Sequence, residues 1–242
     1  LIEEILTRAE EDRRFFLKAL ARVIRGYEAW DLLAYHRALD EMAKGASELE
    51  WYRSIRGDER ESPLGLFVIG IKENSEFLGN LVNGADEGRV MRLQILDLLA
   101  NAARRAAGGA YEDAMARLHR AAGLLARLAL ARRGLGPGDL RLEDLPKRLR
   151  EEFADGYMEE DGRLRLSMPA AYRLLAAMRD PVGRRFEGNP EAARILETCE
   201  ASIPLPCPQT VDAETYTTLA AFLRELAGVE EEEFPRIPRF AF

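Results

Sequence analysis

The chain has 242 residues, 47% hydrophobic and 32% charged, which is enough to bury a core in one large or two small domains and too apolar for disorder. Its 35 basic and 42 acidic residues leave a formal charge of −7, which argues against non-specific coating of duplex DNA, because that binding needs many Lys and Arg contacts to phosphate. No run of about 18 uncharged apolar residues occurs, so no membrane span is expected.

Apolar residues recur at helical spacing along almost the whole chain. Helices are expected over 2–24, 29–43, 86–107, 111–130, 143–153, 168–178, 190–201 and 213–227. The longest apolar run, Gly65–Ile71, reads as a buried segment. In 111–130 the apolar face is Tyr111, Ala114, Met115, Leu118, Ala121, Ala122, Leu125 and Leu128. The stretch 103–121 is spaced like half of a tetratricopeptide helix pair, but no second copy follows about 34 residues on, so a single helical hairpin is expected there. In 213–227 the face is Tyr216, Leu219, Ala220, Leu223 and Leu226, with Asp212 placed to cap the first turn and Gly228 to close the last. Only 163–167 alternates like a strand, and it is short. Breaks fall at Gly57–Pro63, Gly108–Gly109, Gly134–Gly138, Asp155–Gly162 and Asp180–Asn189, none long or polar enough for an interdomain linker. The expectation is an all-α protein, one helical domain over 1–242 with an N-terminal subregion to about residue 84.

Common catalytic apparatus is missing. Neither GxGxxG nor GxxxxGK[ST] occurs, and there is no HExxH, GxSxG or helical ExxH pair. With two histidines, two cysteines (Cys199 and Cys207) and no CxxC, no metal site is expected. Two cysteines and no signal-peptide pattern suit reduced thiols in a cytoplasmic protein. His36 lies among Trp30, Leu32, Leu33 and Tyr35, where a partly buried structural histidine is expected. His119 sits between Arg117 and Arg120, at a solvated or dimer-facing position that could also touch RNA phosphate.

Three stretches carry a resemblance. YEAWDLLAYHRAL at 27–39, DLLANAARRAAGGAYEDAMARLHRAAGLLARLAL at 97–130 and VDAETYTTLAAFLRELAGVEEEEFPRIPRF at 211–240 resemble, in order and spacing, the C-terminal half of CRISPR-associated CARF–HEPN proteins. These are ancillary ribonucleases of type III antiviral defence, and the likeness runs from about residue 15 to the end. It implies an all-α, HEPN-like helical bundle acting as a homodimer on single-stranded RNA, with no duplex DNA or membrane partner. The implied cofactor is none: in the family, cyclic oligoadenylate acts through a CARF domain. That domain is expected to be absent from these 242 residues, which show no βαβ pattern, and a chain opening on Leu1 rather than Met is expected to be a piece of a longer one.

In the family an Arg and a His, spaced R-x4-6-H, meet their dimer mates across a cleft. The Arg stabilises charge on the scissile phosphate, and the His moves a proton at the 2′-OH or the leaving oxygen. The pair lies in a segment resembling R-N-x-S-I-x-A-H-G just before the last long helix. Aligned on Ser202 and Ile203, the Arg position holds Cys199, the Asn position Glu200, the His position Pro206 and the closing Gly position Cys207. The spacing fails elsewhere too: residues 29–31 before His36 are Ala, Trp and Asp, and residues 112–114 before His119 are Glu, Asp and Ala. Cys199 has neither charge nor a fork of donors, and as a nucleophile it would need a base in reach. Pro204 and Pro206 remove backbone donors and favour an extended segment.

Three functions remain open on these residues. The first is a dimerising scaffold that has lost the family's catalytic pair and contacts RNA through Arg104, Arg105, Arg117 and Arg120, unless those arginines form only a solvated face beside Glu112 and Asp113. The second is an active, metal-independent ribonuclease using non-family residues such as His119. The third is a helical interaction module unrelated to CRISPR systems.

Overall fold

The computed structural model describes residues 2–136, 140–154, 157–159, 161–201 and 212–228. Among these, ten α-helices and one short 3-10 turn account for the regular structure, so the protein is all-α. No described helix is long and apolar enough to cross a membrane. The described helices gather in two compact units, residues 2–86 and 87–228.

The first unit holds α1 (Ile2–Asp31), α2 (Tyr35–Arg56) and α3 (Pro63–Asn83), with α2 packed against both neighbours. Its core includes Ala19, Val23, Trp30, Met42, Leu49, Val68, Ile71 and Leu78. The break expected at 25–28 falls instead at Leu32–Ala34, where Leu33 turns left-handed at φ 59°. Gly26 is helical because the α1–α2 contact needs it: a Cβ there would stand 2.3 Å from Met42 Cγ. Gly45 meets Val23 Cγ2 in the same way, at 2.7 Å. The two glycines mark close approach of two helices rather than a turn. Gly65–Ile71 opens α3, which Pro63 starts at a favourable position and Ser62 caps by accepting the Gly65 N–H at 3.1 Å. His36, expected to be partly buried, is exposed on α2.

The second unit is built on a hairpin of α4 (Glu87–Ala107) and α5 (Tyr111–Arg132), which reverses at Gly108–Ala110 with Gly109 at φ 78°. The expected apolar face of α5 is buried from Ala114 through Leu128, with Tyr111 at its margin. After a 3-10 turn at Leu142–Asp144 come α6 (Lys147–Ala154), α7 (Met168–Ala177), α8 (Pro181–Glu187), α9 (Pro190–Ala201) and α10 (Ala213–Ala227). The single helix expected over 143–153 is divided at Leu145–Pro146, because proline excludes its predecessor from helical geometry. The strand expected at 163–167 is no strand: it makes isolated bridges to Arg141 and Met158 and donates the Leu164 N–H to Leu140 at 2.7 Å. Asp212 caps α10 through the Thr215 N–H at 2.8 Å, a bond that holds its carboxyl below the usual range, and Gly228 closes the helix at φ 61°.

The segment 180–189, expected to be a break, contains α8. Asp180 caps it by accepting the Val182 N–H at 2.9 Å and also accepts from Arg133 Nε at 2.8 Å. Phe186 stacks on Tyr172 with centroids 4.0 Å apart, and the buried Tyr172 hydroxyl donates to the Ala122 carbonyl of α5 at 2.8 Å. Burial pushes the Tyr172 phenol well above its ordinary pKa. Gly183 lets α8 fold onto α7, since a Cβ there would lie 2.2 Å from the Ala176 nitrogen. Gly183→Ala should therefore lower stability by about 2–3 kcal/mol, because backbone cannot move aside as a flexible side chain can. The urea midpoint should fall with an unchanged m-value; a midpoint within error of wild type would show that the contact relaxes.

Candidate functional site

Two regions bear on function: the α4–α5 hairpin with its arginines, and the end of α9 leading to α10. On the hairpin, Arg117 lies inward and is only 8% exposed, and two polar residues of α4, Asp97 and Asn101, are fully buried. Its Nε donates to Asn101 Oδ1, and its Nη1 donates to the Asp113 carbonyl at 2.9 Å and to the Asp113 carboxylate. The same carboxylate takes Arg105 Nε at 3.1 Å. Arg104 Nη2 stands 4.0 Å from the buried Asp97. A buried guanidinium is tolerated only when its donors are satisfied, and here Asn101 of α4 and Asp113 of α5 accept from Arg117.

The four arginines expected to meet RNA thus divide. Arg104, Arg105 and Arg117 are bound to carboxylates of their own hairpin, and Arg117 is not on a solvated face at all. Arg120 is exposed and makes no hydrogen bond or ion pair among the described residues. It lines a pocket of about 390 Å³ together with His119, half-buried, and with residues of α4 and the start of α7. Arg127, also exposed and also without such a partner, lines the same pocket. The sequence offered one sign of Arg127, its position seven residues beyond Arg120 and hence on the same face. Nothing in the sequence pointed to Gln94 or Ser167, which reach the pocket from other elements.

At the other region, Cys199 lies in the last turn of α9 and is buried. Pro206 and Cys207 lie outside the described residues, as does the rest of 202–211. Among the described residues no three His, Cys, Asp or Glu side chains gather as metal ligands would.

Residues 85–230 match the family model of the Csm6 HEPN domain, more than half of the chain. The chain belongs to that CRISPR-associated HEPN family. No curated protein and no solved structure matches it. The HEPN match coincides closely with the second unit and includes both the arginine hairpin and the α9–α10 connection. Membership overturns the third reading, a helical module unrelated to CRISPR systems.

The partition of the HEPN arginines is testable by substitution. Arg117→Met keeps the aliphatic stem but removes the donors of Asn101 and Asp113, and should cost about 2–4 kcal/mol. Arg120→Gln should change stability by no more than about 0.5 kcal/mol, as for a surface residue without partners. Chemical denaturation of the two variants side by side reads this difference, and equal losses would refute the partition.

Proposed function

We propose that this protein is a HEPN-family scaffold of type III antiviral defence that dimerises but no longer cuts RNA. The observation that carries the reading is Cys199. On the resemblance it stands where the family's catalytic arginine would be, and its side chain is buried in the last turn of α9. A thiol there offers neither positive charge nor a fork of donors to a scissile phosphate. The His position carries Pro206, and no R-x4-6-H spacing occurs anywhere in the sequence. What remains to the scaffold is association through its helices and RNA contact through Arg120, since Arg104, Arg105 and Arg117 are engaged within the hairpin.

A second reading has its own support: His119 shares a pocket with Arg120 and Arg127, so a proton-transfer group and two cations stand together. That arrangement has the functional groups of a metal-independent ribonuclease.

Cleavage of a fluorophore–quencher single-stranded RNA in EDTA separates the two. The wild-type chain should be silent, and a Cys199→Arg/Pro206→His variant should gain activity. A circular dichroism melt of the variant distinguishes failure to cut from failure to fold. Wild-type cleavage that is no faster in the variant, and is lost in His119→Ala, would overturn the scaffold reading in favour of the second.

A further inference from the structure

The pocket on α5 has features that neither the lost catalytic pair nor the scaffold role explains. Arg120 and Arg127 sit seven residues apart, about 20° short of two full helical turns, and about 10.5 Å along the axis. Their long side chains serve one volume from above and below. Neither is bonded to any described residue, although the chain carries seven more acids than bases. Among the described residues no acidic side chain lines the pocket. Two guanidinium groups with no partner among the described residues, in one concavity with no acid among its described lining, form a site for an anion with more than a single charge. A phosphomonoester, at about −1.5 to −2 near neutral pH, matches the pair.

The rest of the pocket says what the phosphate is attached to. Its volume of about 390 Å³ equals roughly a dozen waters at about 30 Å³ each, far more than one tetrahedral anion fills. Leu124, Leu166 and Met168 give it an apolar wall, while His119 and Gln94 supply hydrogen-bonding and stacking groups. An apolar wall with a few polar groups is the usual form of a small-ligand site of this size. The start of α7 adds its positive end: Ser167 Oγ accepts the Ala170 N–H, its own O–H remains a donor, and Pro169 has no N–H. Among the described residues none of α9 or α10 lines the pocket.

We infer that this pocket binds a phosphorylated nucleoside, with the phosphate held between Arg120 and Arg127 and the base against Leu124, Leu166 and Met168. The phosphorylated nucleoside is either a free nucleotide or the 5′-phosphorylated end of an RNA strand. The inference goes beyond the scaffold reading, and its readout is binding rather than cleavage.

Calorimetric titration with 5′-AMP, adenosine and inorganic phosphate tests it on the full chain. AMP should bind, and adenosine and phosphate should each bind at least about tenfold more weakly, a difference of about 1.4 kcal/mol. Arg120→Gln/Arg127→Gln should lose at least tenfold in AMP affinity with an unchanged thermal melt, while Arg184→Gln, an exposed arginine on α8, should not. Displacement of AMP by a 5′-phosphorylated oligoribonucleotide would identify the RNA end as the source, and its failure to displace would identify the free nucleotide. Equal binding of a 5′-hydroxyl oligoribonucleotide would overturn the inference, since the groove would then be tracking a backbone. So would phosphate binding as tightly as AMP, AMP affinity unaffected by the double substitution, or no AMP binding at concentrations up to about 10 mM.

Discussion

The second unit depends on one buried cation. Arg117 projects from α5 into the seam with α4, where Asn101 and Asp113 take up its donors and Arg105 closes the other side of the Asp113 carboxylate. Hydrophobic faces alone would let two long helices slide by a turn at modest cost, because Leu and Ala repeat along both. A guanidinium that must find a particular Asn permits one register, in the way that buried polar groups fix pairing elsewhere. The register matters beyond the hairpin, since α5 is the helix on which α7, α8, α9 and α10 all pack. Even the Tyr172 hydroxyl bond to Ala122 presupposes that α5 is correctly placed.

This dependence separates fold from chemistry in the HEPN unit. The interactions that specify the bundle lie in α4, α5 and the stacked α7–α8 pair, and the family's catalytic segment contributes none of those named. Cysteine behaves as a small hydrophobe when buried, so Cys199 completes the packing of α9, whereas an arginine at that depth would need partners of its own. The arginines follow the same logic in reverse: those bound to carboxylates serve the fold, and Arg120 and Arg127, without such a partner among the described residues, are exposed.

How much of this the sequence disclosed depended on whether the signal was local. Helices α5 and α10 were legible because each has one buried face, so the apolar period shows, and because Asp212 and Gly228 cap α10 with chemistry that belongs to those positions. Helices α3 and α8 were not. The start of α3 is apolar over successive residues, which erases the period, and Pro181 and Gly183 look like loop residues although one starts α8 and the other seats it on α7. The continuity of α1 across 25–28 was hidden as well, because a glycine demanded by a neighbouring helix, as Gly26 is by α2, cannot be told from one demanded by a turn without knowing the neighbour. The resemblance identified the family from the spacing of its helical hairpin. The division of the arginines stayed hidden, because the Asn101–Arg117 pairing exists only once the two helices are in register. The α5 pocket was hidden too, since Leu166, Ser167 and Met168 reach it by tertiary folding alone.

The bound state of Arg104, Arg105 and Arg117 also limits how the hairpin can respond to salt. Single-stranded nucleic acid binding weakens with ionic strength by about 0.7 logarithmic units per phosphate neutralised, as condensed counterions are released. An arginine already facing a carboxylate brings little net charge to a phosphate and releases few of them. Of the five hairpin arginines discussed, Arg120 and Arg127 alone are unengaged among the described residues, so a nucleic acid meeting this surface should show a shallower dependence than five clustered arginines suggest. The ligand proposed for this hairpin is accordingly selected more by its shape than by how basic the helix reads.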